Sequence, residues 1–169
     1  MALARALALR PDLLIADEPT SALDVSVQAA VLAEFARLRA ELGFACVFIS
    51  HDLAVVDSVS DRVLVLQDGR AVETGPTARV LGRPTHPYTQ ALLSAVPVPD
   101  PTRRGSENRI RLSGDVPSPA NPPSGCRFHT RCWKAQEICS VEDPDLMARP
   151  DGLSAHASAC HFAEPRAVV

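Results

Sequence analysis

A chain of 169 residues with 46% hydrophobic residues can build one ordinary domain, or part of a domain with a small appendage. Only 4% aromatics and as many as 15 prolines favour the second option. A formal net charge of −3, with arginines scattered rather than striped, gives no electrostatic footprint for nucleic acid, and no apolar run approaches the roughly 18 residues of a membrane span. Any membrane association therefore has to come through a partner.

In chain order, Met1 to Leu9 reads as a core helix rather than a targeting peptide, because Arg5 interrupts it and no cationic region precedes it. It should end at Arg10-Pro11, where proline disfavours helical geometry in the preceding residue. Leu13-Leu14-Ile15-Ala16 follows as an apolar run that fits a parallel strand covered on both faces, with Asp17 and Glu18 just past its carboxyl end. Two adjacent carboxylates there can divide the labour of phosphoryl transfer to water, one holding Mg²⁺ and the other orienting or deprotonating the water. An acidic helix N-terminus with Pro19 in its first turn is the competing explanation.

From Asp24 to Leu42 the apolar positions Val27, Val31, Leu32, Phe35, Leu38 and Leu42 have helical spacing, with Asp24 as N-cap and Gly43 closing the helix. Ala45-Cys46-Val47-Phe48-Ile49 is a second strand, and Ser50-His51-Asp52 leads into a short helix over Leu53 to Ser58. Arg62 to Leu66 reads as a third strand, and Asp68-Gly69 as a hairpin turn returning through Ala71 to Glu73. Strand, helix, strand, helix, strand is an α/β layout with parallel core strands. Gly75-Pro76-Thr77 starts a short helix ending near Leu81, and a further helix begins near the proline of Thr85-His86-Pro87-Tyr88, where packing is the default role of His86 and Tyr88.

Seven prolines between Pro97 and Pro123 mark a linker over 97–124. Beyond it, Cys126, Cys132, Cys139 and Cys160 stand at spacings of five, six and twenty intervening residues. Their segment is too polar to build much core, so a bound metal would supply stabilisation. The spacing lacks the short knuckles of structural zinc sites and departs from ferredoxin patterns, which leaves an iron–sulfur cluster, Zn²⁺ and unligated thiols all open. Cys46, in an apolar strand, reads as a buried inert thiol. His129, His156 and His161 read as surface residues, and Arg62 as a surface charge without a role.

The string Asp17-Glu18-Pro19-Thr20-Ser21-Ala22-Leu23-Asp24 closely resembles the Walker B and D-loop region of ATP-binding cassette (ABC) ATPases, and Ser50-His51-Asp52 resembles that family's switch-histidine segment. His86-Pro87-Tyr88 followed by Thr89-Gln90-Ala91-Leu92-Leu93 resembles the C-terminal extension of ABC ATPases that power oligopeptide, dipeptide and nickel importers. The resemblance implies a partial RecA-like P-loop NTPase fold, with Asp17 positioning Mg²⁺, Glu18 as the base, His51 sensing the γ-phosphate of ATP, and the Ser21 to Asp24 loop crossing to a second ATPase subunit. It also implies permease partners and a peripheral place on the cytoplasmic face of the membrane. Gly125-Cys126 to Cys132 resembles the cysteine motif of peptide-importer ATPases, some of which carry a 4Fe–4S cluster.

The family's P-loop lysine has no counterpart, since the sole lysine is Lys134, and the glutamine loop and signature are absent too. The expectation is thus a C-terminal portion of such an ATPase, inactive alone: 1–75 from the ATPase domain, 76–96 the start of the extension, 97–124 the linker and 125–169 the four-cysteine segment. A non-catalytic metal-binding regulatory fragment and an ABC protein of translation or repair are the rival functions.

Overall fold

The computed structural model describes residues 2–96, 109–118, 120–148 and 155–167. They fall into two compact units, Met1–Ser60 and Asp61–Val169. The first contains α1 (Ala2–Leu7), β1 (Leu13–Asp17), α2 (Val25–Leu42), β2 (Ala45–Ile49) and α3 (Leu53–Val59). The second contains β3 (Arg62–Gln67), β4 (Arg70–Pro76), α4 (Thr77–Gly82), α5 (Pro87–Ser94), α6 (Glu137–Val141), β5 (Met147–Ala148) and β6 (Ala157–Ser158).

In the first unit β1 and β2 pair in parallel, Leu13 opposite Ala45 through Asp17 opposite Ile49, with α2 as the crossover that a parallel pair requires. Asp24 caps α2 by accepting the Val27 N–H at 2.9 Å, and Gly43 ends it in the left-handed region, its N–H donating to the Arg39 carbonyl. Leu7, Leu14, Phe35 and Phe44 form the core, with Leu3, Leu38, Cys46 and Phe48 against it. Phe35 meets Phe44 and Phe48 edge-on at 5.9 and 5.8 Å, each contact contributing about 0.5–1.5 kcal/mol beyond area burial.

The strands are not covered on both faces as their apolar runs suggest. Leu13 and Ile15 are 54% and 66% exposed, and Val47 and Ile49 are 48% and 46% exposed. Only one face of this two-stranded sheet meets the core, so alternate residues of β1 and β2 point away from it. Val27 and Leu42, at the two ends of the apolar helical stripe, are exposed as well, and Cys46 is half-buried rather than enclosed.

The third strand does not extend the parallel sheet. Asp68 and Gly69 both take positive φ, 47° and 77°, the requirement of a tight primed turn, and this folds β4 back antiparallel on β3. The burial of β3 alternates strictly, as a strand with one solvated face should. The sheet order is β3-β4-β6-β5, so the tail strand β6 lies on β4 with Ser158 opposite Glu73. The two compact units divide after Ser60, and the hairpin and the four-cysteine segment share one sheet. Part of the proline-rich linker, including Pro97, Pro99, Pro101 and Pro119, lies outside the described residues.

Phe128, 1% exposed, anchors the second unit: its ring lies 5.4 Å from Tyr88 and 6.1 Å from His86. His86 also caps α5, its Nδ1 accepting the Tyr88 N–H at 3.1 Å, and Pro87 fills the first helical position where no N–H is needed. The packing role expected for His86 and Tyr88 is thus what the fold displays.

Candidate functional site

The carboxyl ends of β1 and β2 lie side by side, and each releases one polar residue into the same space. Glu18 follows Asp17 with φ at 47°, a left-handed conformation costing about 1–3 kcal/mol for a non-glycine residue and met chiefly at functional sites. Its N–H donates to the Ile49 carbonyl at 2.9 Å, which prolongs the ladder by one bond and turns the side chain toward the end of β2. There Glu18 Oε1 accepts the backbone N–H of His51 at 3.1 Å and lies 2.7 Å from His51 Nδ1. The hydrogen bond to Glu18, followed by its charge, raises the His51 pKa above the ordinary 6.5.

His51 does not cap the following helix. Asp52 does, its Oδ1 accepting from the N–H groups of Ala54 and Val55 at 3.0 and 3.4 Å. The imidazole is left for Glu18. Gln28 on α2 ties the two loops together, its Nε2 donating to Thr20 Oγ1 at 3.3 Å and to Asp52 Oδ2 at 3.5 Å.

The other expected site residues sit close in sequence but serve the turn. Asp17 ends β1 with an exposed side chain. Ser21 donates its hydroxyl to the Glu18 carbonyl at 3.0 Å. Asp24 accepts from Ser26 Oγ at 2.8 Å as well as from Val27, and the Val27 amide, then the Ser26 hydroxyl, pull its pKa below the usual carboxylate value. Of the predicted set in this unit, the structure joins Glu18 and His51 directly.

In the second unit Cys126, Cys132, Cys139 and Cys160 all line one cavity of about 10 Å³, with Phe128 and Lys134 also on its wall. Cys126 and Cys139 are brought together by backbone: the Cys126 N–H donates to the Cys139 carbonyl at 2.9 Å. Gly125 makes this approach feasible, since it takes φ of 65° and a Cβ there would stand 2.5 Å from the Cys139 oxygen. Cys132 Sγ accepts the Lys134 N–H at 3.4 Å. Burial pushes the Cys126 and Cys132 thiols up, and the neighbouring Cys139 adds to it in both. Among the described residues no group of three His, Cys, Asp or Glu side chains is arranged to hold a single metal ion.

Sequence reasoning missed a buried polar centre beside this cavity. Glu73 on β4 is 0% exposed and accepts from the Thr85 N–H at 2.7 Å, the Thr85 hydroxyl at 2.8 Å and the His86 N–H at 3.1 Å. His156, expected at the surface, is 3% exposed with Nε2 2.7 Å from Glu73 Oε1. Arg62 also has a role, donating to the Ala155 carbonyl at 3.3 Å. The only available signal was a lone glutamate amid the apolar positions of β4.

Comparison with known proteins places the chain. Residues 72–139 match the family described as "Oligopeptide/dipeptide transporter, C-terminal region". The chain is 53% identical over 167 residues, 99% of its own length and 46% of the relative's, to a "probable peptide ABC transporter ATP-binding protein" of Sinorhizobium fredii. Over nearly its whole length the chain is thus similar to ATP-binding proteins of peptide ABC transporters. Further relatives are the dipeptide transport ATP-binding protein of Haemophilus influenzae, 52% identical over 152 residues (90% of this chain, 46% of that protein), and the oligopeptide transport ATP-binding protein of the same organism, 49% over 158 residues (94% and 47%). This chain spans about half the length of the relatives it matches. Among its described residues no helix is long and apolar enough to cross a membrane.

Proposed function

We propose that these residues are the hydrolytic half of an ATP site in the energy-coupling subunit of an ABC importer for oligopeptides, dipeptides or related solutes. The observation that carries this reading is the 2.7 Å contact between His51 Nδ1 and Glu18 Oε1 at the ends of adjacent parallel strands, the edge where α/β sheets hold their ligands. The P-loop and signature come from sequence outside these residues. A second ATPase subunit would meet the Ser21 to Asp24 loop, and permease subunits would seat the assembly on the cytoplasmic face of the membrane. The readings as a regulatory metal-binding fragment, or as a protein of translation or repair, draw no support from the relatives.

The residues present suit such a site. Asp17 offers an exposed carboxylate at the strand end for a hydrated Mg²⁺, which when bound would offset the charge of the ATP phosphates. Glu18 Oε1 is engaged by His51, so Oε2 is the oxygen that takes the proton of the attacking water. Its left-handed backbone and the bond to Ile49 hold it in place without help from the nucleotide. His51 directs one proton on Nδ1 toward Glu18 and, in its protonated form, carries a second on Nε2 that it can donate to the γ-phosphate.

The four thiols are read as ligands of a 4Fe–4S cluster, which would cross-link the polar segment around Phe128. Their number and common cavity support this. At about 10 Å³ the cavity holds no more than one water, so loading would part its walls; Cys126, Cys132 and Cys160, all half-buried, have room to give.

The test is a chimera in which this chain replaces the matching half of the Haemophilus dipeptide ATP-binding protein. It should hydrolyse ATP, and Glu18→Gln should lower turnover by about 100-fold or more while ATP still binds, since the base is lost and the phosphate contacts are spared. Near-normal turnover by Glu18→Gln would remove Glu18 as the base. For the cluster, anaerobically purified chain should be brown, with iron and sulfide in equal amounts, and Cys132→Ser should bleach it; colourless protein with one zinc per chain would refute the cluster.

A further inference from the structure

We propose that the buried Glu73–His156 pair is a latch that positions Cys160, so that these two residues decide whether the thiol site has four ligands or three. The inference rests on the cluster reading above for its metal-bound consequence, and on packing alone for its metal-free one.

Three of the thiols are held by their own neighbourhood. Cys126 and Cys139 share the backbone bond already described, Cys139 sits in α6 with its N–H donating to the Gln136 carbonyl at 2.9 Å, and Cys132 closes a 3-10 turn with its N–H donating to the His129 carbonyl at 3.3 Å. Cys160 arrives on a separate stretch of chain, the tail from 155 onward. What seats that tail lies just before it. Ala157 and Ser158 pair with Thr74 and Glu73, the Ala159 N–H donates to the Val72 carbonyl at 2.8 Å, and His156 reaches the buried Glu73. Backbone packing is close: a Cβ on Gly75 would stand 3.3 Å from the His156 Cα and 3.3 Å from the Ala155 oxygen.

Glu73 gives this seat its specificity. Three of its four bonds come from Thr85 and His86, which fix the carboxylate in place whether or not the tail is docked. The fourth comes from the tail. An apolar side chain at position 156 would forfeit the tail's hydrogen bond to this buried carboxylate, although Oε1 would keep its two Thr85 donors. Register follows: a one-residue slip of so short a strand would carry His156 off Glu73 and turn Cys160 to the wrong face. After Cys160 the tail is held again, by Lys134 to Glu164 at 2.6 Å and by Gln90 Nε2 to the Glu164 carbonyl at 2.8 Å. Those contacts retain the chain, whereas the latch sets which face Cys160 presents.

The experiment is thiol alkylation of the full 169-residue chain, read peptide by peptide by mass spectrometry, for wild type, His156→Ala, His156→Gln and Glu73→Gln. In reduced, metal-free protein, His156→Ala should raise the labelling rate of Cys160 by about tenfold and leave Cys126, Cys132 and Cys139 within about twofold. His156→Gln keeps an N–H donor and should restore most of the protection. With ferrous iron and sulfide under anaerobic conditions, wild type should protect all four thiols and His156→Ala only three. Unchanged Cys160 labelling in His156→Ala, or an equal rise at all four cysteines, overturns the latch. If His156→Ala loses its fold, the near-isosteric Glu73→Gln decides by the same ratio of Cys160 to the other three. Wild-type thiols left unprotected by iron and sulfide would refute the cluster reading, while the metal-free comparison would still decide the latch.

Discussion

Gly125→Ala is the substitution for which the structure gives the sharpest number. Two penalties act together. A non-glycine residue in the left-handed region costs about 1–2 kcal/mol, and Gly125 has φ of 65°. The new Cβ would also stand 2.5 Å from the Cys139 carbonyl oxygen and 2.8 Å from the Ser140 carbonyl carbon, both main-chain atoms that cannot turn aside. Relief means parting Cys126 from Cys139 and losing their backbone bond, a further ~1 kcal/mol, more if the freed groups stay dry. The sum is about 2–4 kcal/mol, which at a slope of ~2 kcal/mol per molar urea moves the midpoint down by roughly 1–2 M. Trp133, the sole tryptophan, lies in this segment and reports its unfolding by fluorescence. Gly69→Ala is the matched control: φ is 77°, but the nearest atom to its Cβ is an Arg127 side-chain nitrogen at 3.9 Å, so only the conformational penalty of about 1–2 kcal/mol applies. Equal midpoint shifts for the two variants would refute the close approach of Cys126 to Cys139.

Phe128→Ala should destabilise the same segment by about 3–5 kcal/mol, because the ring is 1% exposed and packs on Tyr88 and His86; a urea midpoint within experimental scatter of wild type would contradict this. NMR titration of His51 should give a pKa above 6.5 that falls toward 6.5 in Glu18→Gln, since the bond to Glu18 is the main cause of the rise. The raised folded-state value means that this pair's stabilisation is complete below about pH 6.5 and fades as pH climbs through the His51 pKa; the fading should vanish in Glu18→Gln and weaken in high salt, followed by far-UV circular dichroism. The 169-residue chain by itself should not turn over ATP, for want of P-loop amides and lysine, and steady turnover abolished by Glu18→Gln would contradict that.

Local chemistry made the first unit legible in sequence. Asp24 and Gly43 bracket α2 because a capping carboxylate and a left-handed glycine act within one turn. The pairing of Glu18 with His51 follows from two strand ends carrying polar residues, and needed only that β1 and β2 be neighbours. What sequence could not disclose was non-local. An apolar run such as Leu13 to Ala16 does not say whether one face or two is covered. Asp68-Gly69 pointed to a hairpin, yet β3 was still counted with the parallel strands, because alternation in Arg62 to Gln67 is short. His156 looked like a surface histidine because its partner Glu73 lies 83 positions away. The convergence of Cys160 with the three earlier cysteines depends on that same distant strand pairing, which no spacing rule encodes.

The most direct test of the account is a double-mutant cycle on ATP turnover in the chimera, with Glu18→Gln, His51→Ala and both together. If Glu18 and His51 act as one unit through their 2.7 Å contact, each single change removes most of the activity and the double variant is no slower than the slower single one. Losses that multiply, so that the double variant falls by the product of the two single effects, would mean that the two residues act independently and would contradict the site described here.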